Sequence, residues 1–426
     1  MTRFGILCPP AIGHLNPMCA LGRELQRRGH TVTLLGVPDV EPKVKNAGLN
    51  FCLLGEAAFP AGSVEQRYKQ LGQLSGVAGL KFIIDWLRQE TVMLFQEAPT
   101  ALTSAGVEAL LVDQITLAGG SIAERLNLPF ITVCNALLTN REPGVPPYFT
   151  HWQYRSTPWA HWRNRLGNLL IARLRQPILT VINQQRQEWH LPPYRNPNAL
   201  YSPLLQICQL PSEFDFPREK LPHHFHYTGP LQEPSGREPV SDSSLAFPWH
   251  KLTETLIYAS LGTLQNQNWS IFETIATACA DVEAQLVISL GDPQRQKPEP
   301  ALPGEPLVVP YAPHQQLIEK ASLVITHAGM NTVLGALSRG VPLVAIPITS
   351  EQPGIAARLA RTGAGVAVPL AQLSVPVLRS AVQQVLSDRT YREQAKQMQQ
   401  AIARAGGVDR AADLVEQASG TLNSEQ

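Results

Sequence analysis

The sequence predicts an α/β protein of two Rossmann-like domains, each built on a parallel β-sheet with helices on its faces. Strand-length apolar runs alternate with helical segments in both halves of the 426-residue chain, and a segment rich in Pro, Gly and Ser near 217–250 separates the halves. Ligands of such folds bind at the carboxyl ends of the strands, so two facing domains would enclose a deep cleft. We expect domains at 1–230 and 251–418, a linker at 231–250 and a flexible tail at 419–426.

The first half opens with a β-α-β unit. A strand-length apolar run (Phe4–Cys8) is followed by a loop (Pro9–Gly13) and by apolar residues at helical spacing from Leu15 to Leu25. The next strand, Thr31–Leu35, requires a right-handed crossover and parallel pairing. Further elements are predicted at Ala109–Val112, Leu117–Leu126 (a helix) and Phe130–Cys134. Strands of the second half are predicted at Leu256–Ser260, Gln285–Leu290, Leu307–Val309, Leu323–Thr326 and Leu343–Ile346.

The composition excludes several classes of protein. The formal net charge is +1, which gives no strong field for binding nucleic acid. The six cysteines form no C-x-x-C pair and lie mostly in apolar runs, so we expect buried thiols in a reducing compartment and no zinc site. The first apolar run ends at Pro9-Pro10, which is too early for a signal peptide, and no stretch suits a bilayer span. We expect a cytoplasmic protein.

The segment Tyr311–Gln352 contains the strongest candidate for an anion site. A predicted strand ends at His327, and Gly329 allows the backbone to approach a ligand closely. Asn331 and Thr332 lie in the first turn of the following helix, where free amides and the helix dipole favour a phosphate or diphosphate. The alternative interpretation is an ordinary loop between a strand and a helix.

His14 and Asp113 are candidates for general base chemistry. His14 lies in the loop after the first predicted strand, and Asp113 ends the strand Ala109–Val112; this fold places functional groups at such positions. A histidine with an unperturbed pKa near 6.5 suits proton transfer at neutral pH, and a carboxylate bonded to its ring fixes the tautomer. The alternative is that His14 is a structural residue of its loop.

Tyr311–Gln352 resembles the nucleotide-sugar signature box of the UDP-sugar-dependent glycosyltransferases that act on plant natural products. The matching residues, in order, are Tyr311, Pro313, His327, Gly329, Asn331, Thr332, Gly340-Val341-Pro342, Glu351 and Gln352. Gly13-His14, Tyr227–Pro230 and Tyr258–Thr263 resemble other segments of that family. The resemblance implies the GT-B fold, with an N-terminal acceptor domain and a C-terminal donor domain.

The resemblance also implies a role for each matching residue. His14 would be the base for the acceptor hydroxyl and Asp113 its orienting partner, in a displacement that inverts the anomeric carbon. Residues assigned to the donor are Thr263, Tyr311, Ala312, His327, Gly329, Asn331, Thr332, Glu351 and Gln352. Among them, Tyr311 would stack on the uracil, and Gln352 would select glucose. No metal and no cofactor beyond the donor sugar is expected.

Two positions depart from the family pattern. Gly335 stands where the family usually has a glutamate that binds the ribose hydroxyls, and His314 stands where glutamine is frequent. A carboxylate would discriminate against a deoxyribose donor through charge-assisted hydrogen bonds. Its absence leaves UDP and dTDP donors both open.

The acceptor side is expected to be apolar. Phe82, Trp86, Tyr148 and Trp152 are candidates for the acceptor wall, with core packing as the alternative. The chain most resembles bacterial carotenoid glucosyltransferases, which favours a lipophilic acceptor of carotenoid, polyphenol or terpenoid type. The stretch 152–175, which has arginines and tryptophans but no acidic residue, is typical of a membrane-surface segment. A basic solvated face is the alternative.

Other functions and motifs stay open at this point. An epimerase on the same fold would turn over the donor without an acceptor, and a non-catalytic protein would bind a nucleotide sugar or a lipophile. Glu213-Phe-Asp215 is the nearest match to a metal-binding acid-x-acid motif, but it precedes the linker far from the anion site, and we interpret it as structural.

Overall fold

A computed structural model describes residues 1–74, 76–232, 247–263, 268–292 and 300–423. It confirms the predicted α/β class, with two all-parallel sheets of seven and six strands in these residues. Most of the predicted linker, 233–246, lies outside the described residues.

The first sheet has the strand order β3-β2-β1-β4-β5-β6-β7. Its central strands are buried on both faces, which explains why they are continuous apolar runs and not alternating ones. The strands are β1 (Arg3–Leu7), β2 (Thr31–Gly36), β3 (Asn50–Leu53), β4 (Ala109–Asp113), β5 (Phe130–Cys134), β6 (Leu205–Cys208) and β7 (Phe225–Tyr227). The helices around it are α1 (Ile12–Arg27), α2 (Glu41–Asn46), α3 (Ser63–Gln73), α4 (Gly76–Ser104), α5 (Gly119–Leu126) and α6 (Pro158–Glu188).

The second sheet has the order β10-β9-β8-β11-β12-β13. Its strands are β8 (Leu256–Ser260), β9 (Gln285–Ser289), β10 (Leu307–Val309), β11 (Leu323–Thr326), β12 (Leu343–Ala345) and β13 (Gly365–Ala367). The helices are α7 (Trp269–Cys279), α8 (His314–Lys320), α9 (Met330–Leu337), α10 (Gln352–Thr362), α11 (Val375–Ser387), α12 (Arg389–Ala405) and α13 (Gly407–Asn423). All nine strands predicted from apolar runs are present within one residue at each end, and β3, β6, β7 and β13 were not predicted.

The last helix, α13, crosses back to the first domain. Val408, Ala411 and Val415 belong to the apolar core of the first sheet, and Arg28, which follows α1, forms ion pairs with Asp413 and Glu416 at 2.7 and 2.6 Å. The predicted boundary at 418 therefore assigns to the second domain a helix that packs on the first. The helix also continues to Asn423, so the first part of the expected tail is helical, and 424–426 lie outside the described residues.

Asp215 joins the two domains through a buried ion cluster. Its carboxylate accepts hydrogen bonds from Arg218 at 2.9 Å, from Tyr227 at 2.9 Å and from Arg358 of α10 at 2.8 Å. Both arginine charges hold the pKa of Asp215 far below its ordinary value although burial acts to raise it. This geometry agrees with a structural role for Glu213-Phe-Asp215, since the carboxylate of Asp215 is fully engaged by cations.

Removing this carboxylate should destabilise the protein. In Asp215→Ala two buried guanidinium groups lose their counter-ion, and we expect the melting temperature to fall by about 5 °C or more. Glu213→Ala is the matched control, because Glu213 pairs with Arg404 at the surface and is 47% exposed, so its loss should cost about 1 °C or less. Circular dichroism melting checks both variants. Equal shifts would contradict the structural importance of the cluster.

Candidate active site

His14 and Asp113 meet at the carboxyl edge of the first sheet. β1 and β4 are neighbours, with Leu7 paired to Val112, so the residues that follow them lie side by side. The sequence places His14 in a loop, but α1 begins at Ile12 and His14 lies in its first turn. Its Nδ1 lies 2.7 Å from Oδ2 of Asp113. In neutral His14 the proton on Nδ1 is donated to the carboxylate, so Nε2 keeps a lone pair.

Asp113 is held in place by further donors. Its side chain is fully buried, Oδ2 also accepts from Nδ2 of Asn135 at 2.7 Å, and Oδ1 accepts from the Ile115 amide at 2.9 Å. Sequence reasoning missed Asn135, although it follows the predicted strand Phe130–Cys134 at the same sheet edge. These bonds fix the carboxylate that orients His14.

Carboxylates at this edge of the sheet shift the pKa values of His14 and Glu90. Burial acts to lower the pKa of His14, but the charge and hydrogen bond of Asp113 outweigh it, and Glu351 and Glu90 add to the rise. The net pKa of His14 is therefore above its ordinary value. Burial and the Asp113 charge raise the pKa of Glu90 on α4 to about 7, against the opposing charges of His14 and Arg67. Sequence reasoning missed Glu90, because its proximity to the dyad depends on how α4 packs.

Four strand ends of the second sheet lie at one level. Ser260 pairs with Thr326 and Ser289, and Ser289 pairs with Val309, so the loops after β8, β9, β10 and β11 share an edge. These loops carry predicted donor residues, namely Thr263, Tyr311, Ala312, His327 and Gly329. Tyr311 is 45% exposed, Ala312 is buried, and Thr263 and Thr332 are partly exposed. The predicted anion segment is thus assembled in one place.

His327 is enclosed by two glycines. A Cβ at Gly262 or at Gly329 would lie 2.7 Å from ring atoms of His327, so neither position has room for a side chain. Burial lowers the pKa of His327 to about 4, so the imidazole is neutral at pH 7. Its Nδ1 has no hydrogen-bond partner in the described part of the chain. The next residue, Ala328, has a φ of +66°, a strained conformation of the kind that clusters at functional sites.

Asn331 links the two edges across the cleft. Its Nδ2 donates to the Gly13 carbonyl at 3.0 Å, and its Oδ1 accepts from Nε2 of Gln209 at 3.3 Å. The same Gln209 amide also donates to the Asn135 carbonyl. In this structure the Asn331 side chain therefore contacts the first domain, one residue from His14. Gln209, missed at the sequence level, completes a polar path from Asp113 to α9.

Glu351 and Gln352 lie at the start of α10. Oε1 of Gln352 accepts from the Ile348 and Thr349 amides at 2.8 and 2.9 Å, which fixes the side chain with its carbonyl turned into its own loop. The charge of Glu351 adds to the raised pKa of His14, so the start of α10 lies within electrostatic range of the dyad. At Gly354 a Cβ would overlap the Tyr148 carbonyl, so α10 packs directly on the first domain.

The predicted acceptor residues fall into two groups. The Trp86 ring contacts Tyr68 and Phe82, with centroids 4.9 and 6.4 Å apart, and the Tyr68 hydroxyl donates to the Pro10 carbonyl at 3.3 Å. This aromatic cluster therefore lies against the loop that leads into His14. Nε1 of Trp86 is buried without a partner among the described residues. Trp152 lies elsewhere, beneath the Arg163 guanidinium at 4.4 Å.

The described residues contain neither a metal-binding cluster nor a helix suited to span a membrane. Among them, no group of three or more His, Cys, Asp or Glu side chains is arranged to hold a metal ion. None of the helices in the described ranges combines the length and apolar character needed to cross a bilayer.

Comparison with known proteins identifies the family. Residues 8–403 match the family model described as UDP-glucoronosyl and UDP-glucosyl transferase. The chain belongs to this family. Two relatives are zeaxanthin glucosyltransferases: that of Pantoea ananas is 34% identical over 98% of this chain and 96% of the relative, and that of Pseudescherichia vulneris is 35% identical over 98% of both.

Solved structures of glycosyltransferases share the fold. The crystal structure of the calicheamicin glycosyltransferase aligns with a TM-score of 0.72, at 23% identity, over 99% of both chains. The expected GT-B architecture is confirmed. As a member of the UDP-glucosyl transferase family, the protein is a hexosyltransferase that transfers a sugar from a nucleotide donor to a small-molecule acceptor.

The contact between Gly329 and His327 can be tested in this transferase by adding one methyl group. Gly329 has a φ of −65°, so alanine meets no backbone strain there and acts only through the His327 ring. We expect Gly329→Ala to weaken binding of UDP about tenfold or more, measured by isothermal titration calorimetry. Gly13→Ala, in the first turn of α1, is the control on the other side of the cleft, because no atom lies within 4 Å of its added Cβ. Unchanged affinity in Gly329→Ala would contradict a donor site at this loop.

Proposed function

We propose that the protein transfers glucose, with inversion, from a nucleoside diphosphate glucose to a hydroxyl of a lipophilic acceptor, and that His14 is the general base. The observation that carries the proposal is the 2.7 Å contact between His14 and Asp113, with the Glu351 charge near enough to act on His14. A base with its orienting carboxylate is thus within electrostatic range of one of the residues expected to bind the sugar.

The proposed chemistry is a single displacement. Nε2 of His14 accepts the proton of the acceptor hydroxyl as its oxygen attacks the anomeric carbon of the sugar. The bond from that carbon to the diphosphate oxygen breaks, and the nucleoside diphosphate leaves with the electron pair. One displacement inverts the anomeric configuration. The negative charges of Asp113 and Glu351 stabilise the imidazolium that forms.

The leaving diphosphate requires its own stabilisation. α9 begins at Met330, so its first free amides and the positive end of its dipole lie beside the His327 loop. Donors fixed before reaction stabilise developing charge without reorganisation. We assign the diphosphate to Thr263, His327 and Thr332, with Asn331 joining them if its contact with Gly13 is exchanged for one with the donor. This stabilisation uses no metal ion, and we propose that none is required.

Support for glucose comes from Gln352. Its carbonyl oxygen is already bonded by two loop amides, so its NH₂ group is the part left to donate to a sugar hydroxyl. Glu351 beside it would accept from hydroxyls. The named function of the two zeaxanthin glucosyltransferase relatives agrees with this donor sugar.

Support for a lipophilic acceptor comes from the aromatic cluster of Tyr68, Phe82 and Trp86. Its rings lie against the loop before His14, which is where an acceptor must present its hydroxyl. Aromatic walls with few polar groups suit apolar ligands. We propose an acceptor of carotenoid, polyphenol or terpenoid type, glycosylated in the cytoplasm.

The base assignment predicts a particular pH dependence. Transfer requires neutral His14, so activity should fall as pH drops through its raised pKa. In Asp113→Asn the main cause of that rise is lost while burial, Glu351 and Glu90 remain, so the acidic limb should move to lower pH. The maximal kcat should also fall by about 10²–10⁴, as it should in His14→Ala. Initial rates between about pH 5 and pH 9 measure both the shift of the acidic limb and the fall in kcat.

Asp85→Asn is the control for this experiment, because Asp85 is an exposed residue of α4 paired with Arg88. It should leave the pH profile and kcat unchanged. Full activity of His14→Ala would exclude the proposed base. Donor consumption without acceptor would instead indicate an epimerase.

The absence of a carboxylate at Gly335 predicts weak discrimination between ribose and deoxyribose. A Cβ there would make only ordinary van der Waals contacts, with Ile318 at 3.7 Å and Gln232 at 4.0 Å, so a side chain can start from this position without a clash. We expect UDP and dTDP to raise the melting temperature of the wild type similarly. Gly335→Glu should favour UDP about tenfold or more in affinity, because a carboxylate can accept from the ribose 2′-hydroxyl.

Gly335→Gln separates charge from size in this test, and it should give a smaller preference than Gly335→Glu. A strong UDP preference in the wild type would show that other groups recognise the ribose. No stabilisation by any nucleotide, restored only in Gly335→Glu, would favour a non-catalytic binder.

A further inference from the structure

α6 presents an apolar stripe to solvent. Of the twelve exposed large hydrophobic side chains in the described residues, five lie within one stretch of twelve residues of this helix. They are Trp159, Trp162, Leu166, Leu169 and Leu170, each between 45% and 65% exposed. We call these five residues the α6 patch. Soluble proteins rarely expose apolar clusters of this kind without a binding partner.

Helical spacing places the α6 patch on one face. At about 100° per residue its five positions fall within an arc of about 100°, and they extend about 16 Å along the axis. The opposite face is also apolar and is buried, with Ala160, Gly167, Ile171, Ile178 and Ile182 turned inward. α6 packs there on α4. The inner stripe of α6 therefore already packs against the rest of the domain. The outer stripe is exposed to solvent instead and is not needed for the fold.

The charges around the α6 patch are of one sign. Residues 143–187 contain no Asp or Glu, and Arg155, Arg165 and Arg173 are exposed. None of these three has a carboxylate within 4 Å in the described ranges. Arg173 lies within the arc of the patch and Arg165 beside it.

Other arginines of the same stretch have partners or different roles. Arg186 is buried and pairs with Glu124 at 2.7 Å, and the Arg163 guanidinium lies over the Trp152 ring. The unpaired surface cations are therefore concentrated at the N-terminal half of α6, around the patch.

We propose that the α6 patch docks on a bilayer surface that contains anionic lipid. Leucines would enter the acyl boundary, the stacked Trp159 and Trp162 rings would lie at the headgroup level, and the arginines would bind lipid phosphates. A second copy of the chain is a poorer occupant, because a symmetric contact would place arginines against arginines with no acid between them. This proposal concerns a surface and does not depend on the chemistry of His14.

The position of the α6 patch agrees with a lipophilic acceptor. α4, on which α6 packs, carries Phe82 and Trp86 of the aromatic cluster. Gly167 of the inner face contacts the loop that carries Trp152, where an added Cβ would lie 3.2 Å from the ring. Docking through α6 would thus bring the acceptor side of the cleft towards the membrane.

Vesicle flotation of the full-length protein tests the proposal. We expect the protein to bind vesicles of phosphatidylcholine with phosphatidylglycerol, to bind pure phosphatidylcholine much less, and to be released by high salt. Arg165→Gln with Arg173→Gln should weaken binding about 25-fold, at about fivefold per arginine. Trp159→Gln with Leu169→Gln should weaken it at any salt concentration. All four side chains are exposed, so circular dichroism melting should be unchanged.

A double variant on the second domain is the control for charge. Arg389 and Arg392 of α12 are exposed, and Arg389→Gln with Arg392→Gln should retain binding. Absence of binding to anionic vesicles would overturn the proposal, as would equal losses in the control. If light scattering shows a dimer that Trp159→Gln with Leu169→Gln dissociates, the patch is an interface between two copies and the membrane proposal is wrong.

Discussion

The buried ion pair between Asp215 and Arg358 fixes the position of α10 relative to the first domain, and the candidate active site depends on that position. Arg358 lies in α10, whose first residue is Gln352, so anchoring the helix to the first domain also anchors the end at which Glu351 and Gln352 lie. Gly354 reinforces the contact, because its missing side chain lets α10 meet the Tyr148 carbonyl. A buried pair of this kind contributes little net stability, since desolvation offsets attraction, but its geometry is specific. It holds Glu351 within electrostatic range of His14.

The histidines on the two sides of the cleft are all largely buried, yet their pKa values shift in opposite directions. Burial alone lowers the pKa of an imidazole, as it does for His327 and for His314 beside Tyr258. His14 escapes this outcome because Asp113 lies 2.7 Å away in the same low-dielectric environment, where its charge acts strongly. One edge therefore holds a histidine suited to accept a proton, and the other holds neutral rings suited to contact a ligand.

How far the sequence predicts this arrangement depends on the range of the interactions. Apolar runs mark strands locally, so nine strands were predictable. The four that were not, β3, β6, β7 and β13, have only three or four residues each, and all but β6 lie at sheet edges. His14 and Asp113 follow from their places at strand ends. Glu90 and Gln209 could not be predicted, since their neighbours are set by packing between segments far apart in the chain. The packing of α13 on the first domain could not be predicted for the same reason. An amphipathic pattern predicts a helix with one buried face, but not the core against which that face packs.

The two domains also differ in how they expose apolar side chains, and this difference fits the donor and acceptor roles proposed for them. The described part of the second domain leaves only scattered large hydrophobics exposed, at Tyr311, Leu370 and Val377. The first domain concentrates them on α6, next to the helix that carries the aromatic cluster. A nucleotide sugar reaches its site from water and needs no apolar approach. A lipophilic acceptor is concentrated where apolar and aqueous phases meet, so an acceptor domain gains most from a surface that stays at that boundary.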